Sequence, residues 1–231
     1  MVSDGAAYAL GRINGRGCWY LYTLHNVCPG VDEPDQTLEI LMQDLDPKIM
    51  KRFFKEGNSD VKKVTETSGI KDFLPGALID DALFDPCGYS MNGLINVTAY
   101  ENSVIPHRKF PIKRLLRNTY FTIHITPQEQ CSYVSFETNL KMVSKEYVSF
   151  ETNLKMTCYK ELINKVLDAF KPGRFLMTLF ANEGAPCGAS IKTFENNFTG
   201  YQRNDLQLCQ MKHYNLTYGH FGKIADSNGM I

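Results

Sequence analysis

The chain has 231 residues, 43% of them hydrophobic, with 14 Phe and 12 Tyr, so it can bury a substantial core and does not have the composition of a disordered polymer. Its 25 Lys plus Arg balance 25 Asp plus Glu, which removes the global charge that draws a protein to nucleic acid or to anionic lipid. No apolar run approaches the roughly 20 residues that span a bilayer, and residues 1–12 lack the basic-then-apolar pattern of a secretory signal.

In chain order, residues 18–24 (CWYLYTL) read as a buried aromatic strand, and the Pro- and Gly-containing stretch 28–34 as a turn. A second strand follows at 35–42. Asp46 is placed to cap a helix with Pro47 in its first position. Ile49, Met50, Phe53 and Phe54 then share one face, and Gly57 is the stop. A short helix is expected over 61–67, with Gly69 and Pro75-Gly76 as punctuation. Residues 121–126 alternate with period two, so Ile123 and Ile125 face one way and Thr122, His124 and Thr126 the other. Tyr159, Leu162, Ile163, Val166, Leu167 and Phe170 follow helical spacing, with Thr157 as cap and Lys171-Pro172-Gly173 as stop. A strand over 174–180 comes next. This order predicts an α+β fold, an antiparallel sheet with helices on one face.

Seven scattered cysteines without CxxC spacing point to free thiols and a cytosolic chain. The Asn-x-Thr matches at Asn96, Asn197 and Asn215 then read as chance. Two features stand out. The decapeptide YVSFETNLKM occurs at 133–142 and again at 147–156, a tandem duplication too short to be a solenoid. Residues 96–117 hold the densest basic stretch, which reads as a solvated inserted loop or, less simply, as a patch for nucleic acid or an acidic partner.

Asp35, Thr37 and Glu39 lie at alternate positions, so on a strand they share a face. Two carboxylates on one inward face repel and need a cation or a proton; on an exposed face they need neither. His124 on its polar face is either a hydrogen-bonded structural histidine or a proton carrier. Ser90 sits in Pro86-Cys87-Gly88-Tyr89-Ser90-Met91-Asn92-Gly93, read as a small-residue turn. The spacing does not bring Ser90 to His124.

CWYLYTL (18–24), PDQTLEILM (34–42), FDPCGYSMNG (84–93), TIHITP (122–127) and YVSFETNL (133–140), in this order, resemble eukaryotic S-adenosylmethionine decarboxylase. The match covers most of the chain and weakens after about residue 182. The resemblance implies a proenzyme that cuts itself at a Glu-Ser bond, turning the serine into a pyruvoyl group. That carbonyl forms a Schiff base with S-adenosylmethionine and acts as electron sink for loss of CO2. The product feeds spermidine and spermine synthesis. By position, Ser90 and His124 match the pair that assists self-cleavage. Phe84 matches an aromatic that stacks on adenine. Asp35, Thr37, Glu39 and Glu137 match a buried putrescine site, Glu151 in the second repeat copy competing with Glu137. Where the family has a ribose-binding glutamate, this chain has Gln128, a weaker partner for a diol, with Glu129 on the opposite face if the strand continues.

The resemblance further implies about one half of an αββα four-layer sandwich. Residues 1–30 would be a remnant of the N-terminal half and 31–231 the C-terminal half, carrying the insertion at 96–117 and the duplication at 133–156. The Leu-Ser-Glu-Ser-Ser cleavage motif and pyruvoyl-forming serine do not occur in the 231 residues. The chain by itself is therefore expected to be inactive. It reads as a truncated decarboxylase, as a non-catalytic partner that pairs with a full-length decarboxylase, or as a non-functional gene product; a homodimer is the other expected assembly. No metal, nucleic-acid partner or membrane association is expected.

Overall fold

A computed structural model describes residues 5–15, 17–24, 34–57, 59–95, 118–141, 159–185, 194 and 198–224. The basic stretch 96–117, the turn at 28–33, Thr157 and the second repeat copy with Glu151 lie outside them.

Strands β1 (Gly5–Leu10) and β2 (Trp19–Leu24) form a two-stranded antiparallel ribbon. The other strands are β3 (Gln36–Gln43), β4 (Ala77–Leu83), β5 (Tyr89–Ile95), β6 (Tyr120–Thr126), β7 (Tyr133–Thr138), β8 (Arg174–Asn182), β9 (Tyr201–Gln210) and β10 (Tyr214–Lys223). They make one eight-stranded antiparallel sheet in the order β4-β5-β6-β7-β3-β8-β10-β9. Helices α1 (Pro47–Met50), α2 (Val61–Thr67) and α3 (Tyr159–Phe170) accompany it. The α+β class expected from the sequence is the one observed.

Period two decides which face of the sheet is covered. In β3, Leu38, Ile40 and Met42 are fully buried, and Ile123, Phe136 and Met177 lie in the same layer from β6, β7 and β8. The helices close this layer. All six apolar residues of the α3 stripe, Tyr159 to Phe170, are buried, each worth about 1.5–3 kcal/mol when withdrawn from water. Phe73 meets Phe136 and Phe170 edge-on, at 6.1 Å in both cases. On the opposite face the ribbon lies over β8 and β10, with Leu10, Trp19 and Leu21 against Leu176, Phe180, Leu216 and Tyr218.

Four expectations need correction. β2 is not a buried strand. Trp19 and Leu21 pack inward, but Tyr20 and Tyr22 are about two-thirds exposed, because a two-stranded ribbon has only one covered face. Asp46 does cap α1, accepting from Lys48 N at 2.8 Å, with Pro47 in the first turn. The helix ends at Met50, however, and a 3-10 turn carries the chain to Phe53, which is buried. Phe54 leaves that face and bridges to Cys87 as extended backbone. Ser90 stands in strand β5, not in a turn; the turn is 84–88, closed by Phe84 N donating to Gly88 O at 2.8 Å. Gly88 has φ +115, which favours glycine. The strand bearing His124 ends at Thr126, so Gln128 and Glu129 do not alternate on it. Gln128 instead precedes a 3-10 turn at Glu129–Cys131.

Candidate functional site

The sheet register assembles the polar face. Ser90 on β5 is opposite His124 on β6, which is opposite Ser135 on β7. Ser90 Oγ and His124 Nδ1 are 2.9 Å apart and hydrogen bonded. The pair that the spacing left apart is therefore joined by strand pairing, 34 residues apart in sequence. His124 is exposed, so its second ring nitrogen is open to exchange a proton.

One row along, Asn92, Thr122, Glu137, Glu39, Thr178 and Tyr218 line up across β5, β6, β7, β3, β8 and β10. Glu39 is directly opposite Glu137, a like-charge pair that antiparallel sheets normally avoid. Burial, then the Glu137 charge, push the Glu39 carboxyl above its ordinary range, against a hydrogen bond from Thr178. Tyr120 on β6 donates to Glu137 Oε1 at 2.5 Å. Its phenol is pushed up to about 12, first by burial, then by bonding to and the charge of Glu137, then by the Asp35 charge; the Thr37 hydroxyl opposes this. At the start of β3, Tyr214 donates to Asp35 Oδ2 at 3.0 Å and stacks on Phe180 at 4.6 Å. Phe180 is the register partner of Thr37.

Asp35, Thr37, Glu39 and Glu137 thus share one face of the sheet, Asp35 exposed and the other three half-buried rather than in the buried site that the resemblance implied, and Tyr120, Thr178 and Tyr214 join them. The latter three were missed. The alternation that put His124 on the polar face also puts Tyr120 there, a signal present but unread. Thr178 and Tyr214 carried no local signal. Among the described residues no lysine or arginine pairs with Asp35, Glu39 or Glu137, and no group of three or more His, Cys, Asp and Glu is arranged to hold a metal ion. Phe84 is half exposed in the turn that leads into Ser90, and Gln128 is exposed beyond the end of β6. Neither is bonded to the Ser90–His124 pair. The described cysteines Cys18, Cys87, Cys131 and Cys209 are free, and no described helix is long and apolar enough to cross a membrane.

Comparison with known proteins adds a lineage. The family model described as adenosylmethionine decarboxylase matches residues 1–222, so the match continues well past residue 182. The S-adenosylmethionine decarboxylase proenzyme of Xenopus laevis is 40% identical over 96% of this chain and 56% of its own length. That of Drosophila melanogaster is 39% identical over 96% of this chain and 59% of its own. The chain therefore spans little more than half the length of these relatives. A crystal structure of a Trypanosoma brucei AdoMetDC-delta26 monomer shares the fold, with a TM-score of 0.60 at 22% identity over 83% of this chain and 66% of that one.

Proposed function

This chain belongs to the adenosylmethionine decarboxylase family, and from that premise we propose that its polar sheet face contributes to S-adenosylmethionine decarboxylation. Ser90 and His124 are the pair that assists maturation, and Asp35, Thr37, Glu39 and Glu137 are a putrescine site. The single observation that carries the reading is the 2.9 Å Ser90–His124 contact on neighbouring strands. A hydroxyl held against an imidazole can stabilise an oxygen centre while the ring takes up or returns a proton.

The chemistry of this face fits a carbonyl-bearing group: with His124 Nδ1–H donating to Ser90 Oγ, the single Ser90 hydroxyl hydrogen is left to donate to a carbonyl oxygen. When bound, a pyruvoyl group supplies the electron withdrawal that loss of CO2 requires. This chain's own residues do the rest: Ser90 and His124 hold and move a proton, Phe84 offers a flat apolar surface for adenine, and Gln128 offers an amide for the ribose hydroxyls. The 231 residues contain no Glu-Ser bond, so we further propose that this polypeptide alone neither matures nor releases CO2. Its free thiols suit the cytosol.

The carboxylates favour a diamine for a physical reason. Glu39 and Glu137 oppose each other without a cation, Asp35 extends the charge, and the Phe180–Tyr214 stack offers an apolar wall beside it. A dication with a short methylene chain satisfies all three. The same cluster supports a second reading, a non-catalytic partner that pairs with a full-length decarboxylase and carries a diamine signal.

The deciding experiment joins the N-terminal portion of the Xenopus laevis proenzyme to this chain. The chimera is expected to cut itself into two chains, and His124→Ala is expected to block the cut. A folded chimera that stays whole while the intact Xenopus protein matures would overturn the assignment of the pair. Mixing the unmodified chain with a complete decarboxylase tests the second reading; no complex and no change in rate would dismiss it.

A further inference from the structure

The loop between β1 and β2 is fastened to the far end of the sheet by polar contacts. Gly11 N donates to Gln207 Oε1 at 3.1 Å, and the Tyr218 hydroxyl donates to Gly17 O. The described residues of the loop stand over β9 and β10 beside a half-open cavity of about 550 Å³, lined by Arg12, Gly15, Gly17, Asn204, Asp205 and His220, with Tyr218 as part of its wall. That volume is in the range of small-ligand sites. The closeness of approach depends on glycine, because a Cβ on Gly17 would lie 2.9 Å from the His220 ring.

Two features show that the lining is built. The register of β9 against β10 slips between His220 and Phe221, so Asn204 is a bulged residue. A bulge bends its strand and re-aims side chains, and here it falls where Asn204, Asp205 and His220 meet the cavity. The second feature is charge. Arg12 has no ion-pair partner among the described residues, and neither does Asp205. Among the described residues Asp205 accepts only from Leu206 N at 2.8 Å and Gln207 Nε2 at 3.3 Å, which leaves lone pairs unused on a carboxylate. Arg12, which is exposed, and Asp205 thus line the same cavity without pairing with each other.

We propose that this cavity binds a small zwitterion of the α-amino-acid class, with Arg12 holding its carboxylate and Asp205 its ammonium. Arg12 offers the planar fork that suits a carboxylate, Asp205 accepts from an ammonium, and Asn204 and His220 serve the side chain. The site is separate from the maturation pair. Along one row of the sheet, His220 on β10 is four strands from His124 on β6, about 19 Å at the usual strand spacing.

The test is calorimetric titration of the full chain with L-glutamine, N-acetyl-L-glutamine, which lacks the ammonium, and 4-aminobutanamide, which lacks the carboxylate. L-Glutamine is expected to bind, and each half-analogue to bind at least about tenfold more weakly, since each loses one charge-assisted contact. Arg12→Gln and Asp205→Asn are expected to lower affinity for L-glutamine by a similar factor, with Ser90→Ala leaving it unchanged. The analogue comparison needs no variant, so it decides the matter even if a substitution unfolds the loop. No saturable binding of L-glutamine or of any other standard amino acid, or a half-analogue binding as tightly as the zwitterion, would refute the proposal.

Discussion

The two faces of strands β3, β6 and β7 share a backbone and differ in everything else. On one side, Leu38, Ile40, Ile123, Val134 and Phe136 are withdrawn from water under the helices. On the other, one residue away each time, stand Glu39, Tyr120, His124 and Glu137. The first face is held by apolar area, which is non-directional and additive. The second places like charges opposite each other, which costs stability, and it carries the site we propose. The apolar contacts lie on one side, and the charged and titratable groups stand on the other.

Substitutions can break or sharpen that contrast. Phe136→Ala, which empties a position between Phe73 and Phe121, is expected to lower the unfolding free energy by about 3–5 kcal/mol in urea titration. A loss below about 1 kcal/mol would mean that the helix-covered face is not close-packed. Next in size is Tyr120→Phe on the polar face. It removes the donor to Glu137 and is expected to cost about 1 kcal/mol and to weaken putrescine binding measured by calorimetry. Glu39→Gln should run the other way, adding about 0.5–1 kcal/mol by relieving the facing carboxylates while abolishing any putrescine-induced rise in melting temperature. Should it destabilise the chain instead, the cost assigned to that face is wrong.

A pH series sharpens the same point. The Glu39 carboxyl is raised above its ordinary value of 4.5, so the folded chain holds more protons than the unfolded one between that value and the raised one. Stability contributed by this group is complete below 4.5 and is lost as pH rises through the raised value. Urea midpoints measured upward from pH 4.5 should fall in the native chain and fall less in Glu39→Gln; parallel profiles would contradict this. The smallest effect is expected of Ser90→Ala. At a half-exposed position it should change stability by less than about 0.5 kcal/mol, although the chimera carrying it should mature poorly.

Much of this was legible in the sequence. Alternation in 36–42 and 121–126 correctly sorted Leu38 from Glu39 and Ile123 from His124, and the six-residue stripe of α3 was read whole. Strands β1, β4, β7, β9 and β10 were not read, and of these β4 and β9 are the edge strands of the large sheet. β4 carries Asp80-Asp81 at its centre and β9 carries Arg203, Asn204 and Asp205. An edge strand packs less completely, so it needs less apolar patterning and leaves a weaker trace. β5 was hidden by the Pro- and Gly-rich segment that precedes it, and so Ser90 was placed in a turn. The exposure of Tyr20 and Tyr22 was missed because an aromatic run looks alike in a core strand and in a ribbon with one face uncovered.

By itself the sequence determined the class of the fold, the side of each well-patterned strand to which its carboxylates and its histidine point, and the lineage. Those are properties of neighbouring residues, and the pleat repeats every two positions whatever the strand's partner. Only the tertiary structure decided that Ser90 touches His124, that Glu39 faces Glu137, and that Arg12 and Asp205 line one cavity. Each of those meetings depends on register between strands far apart in the chain, which is chosen by the packing of the whole sheet.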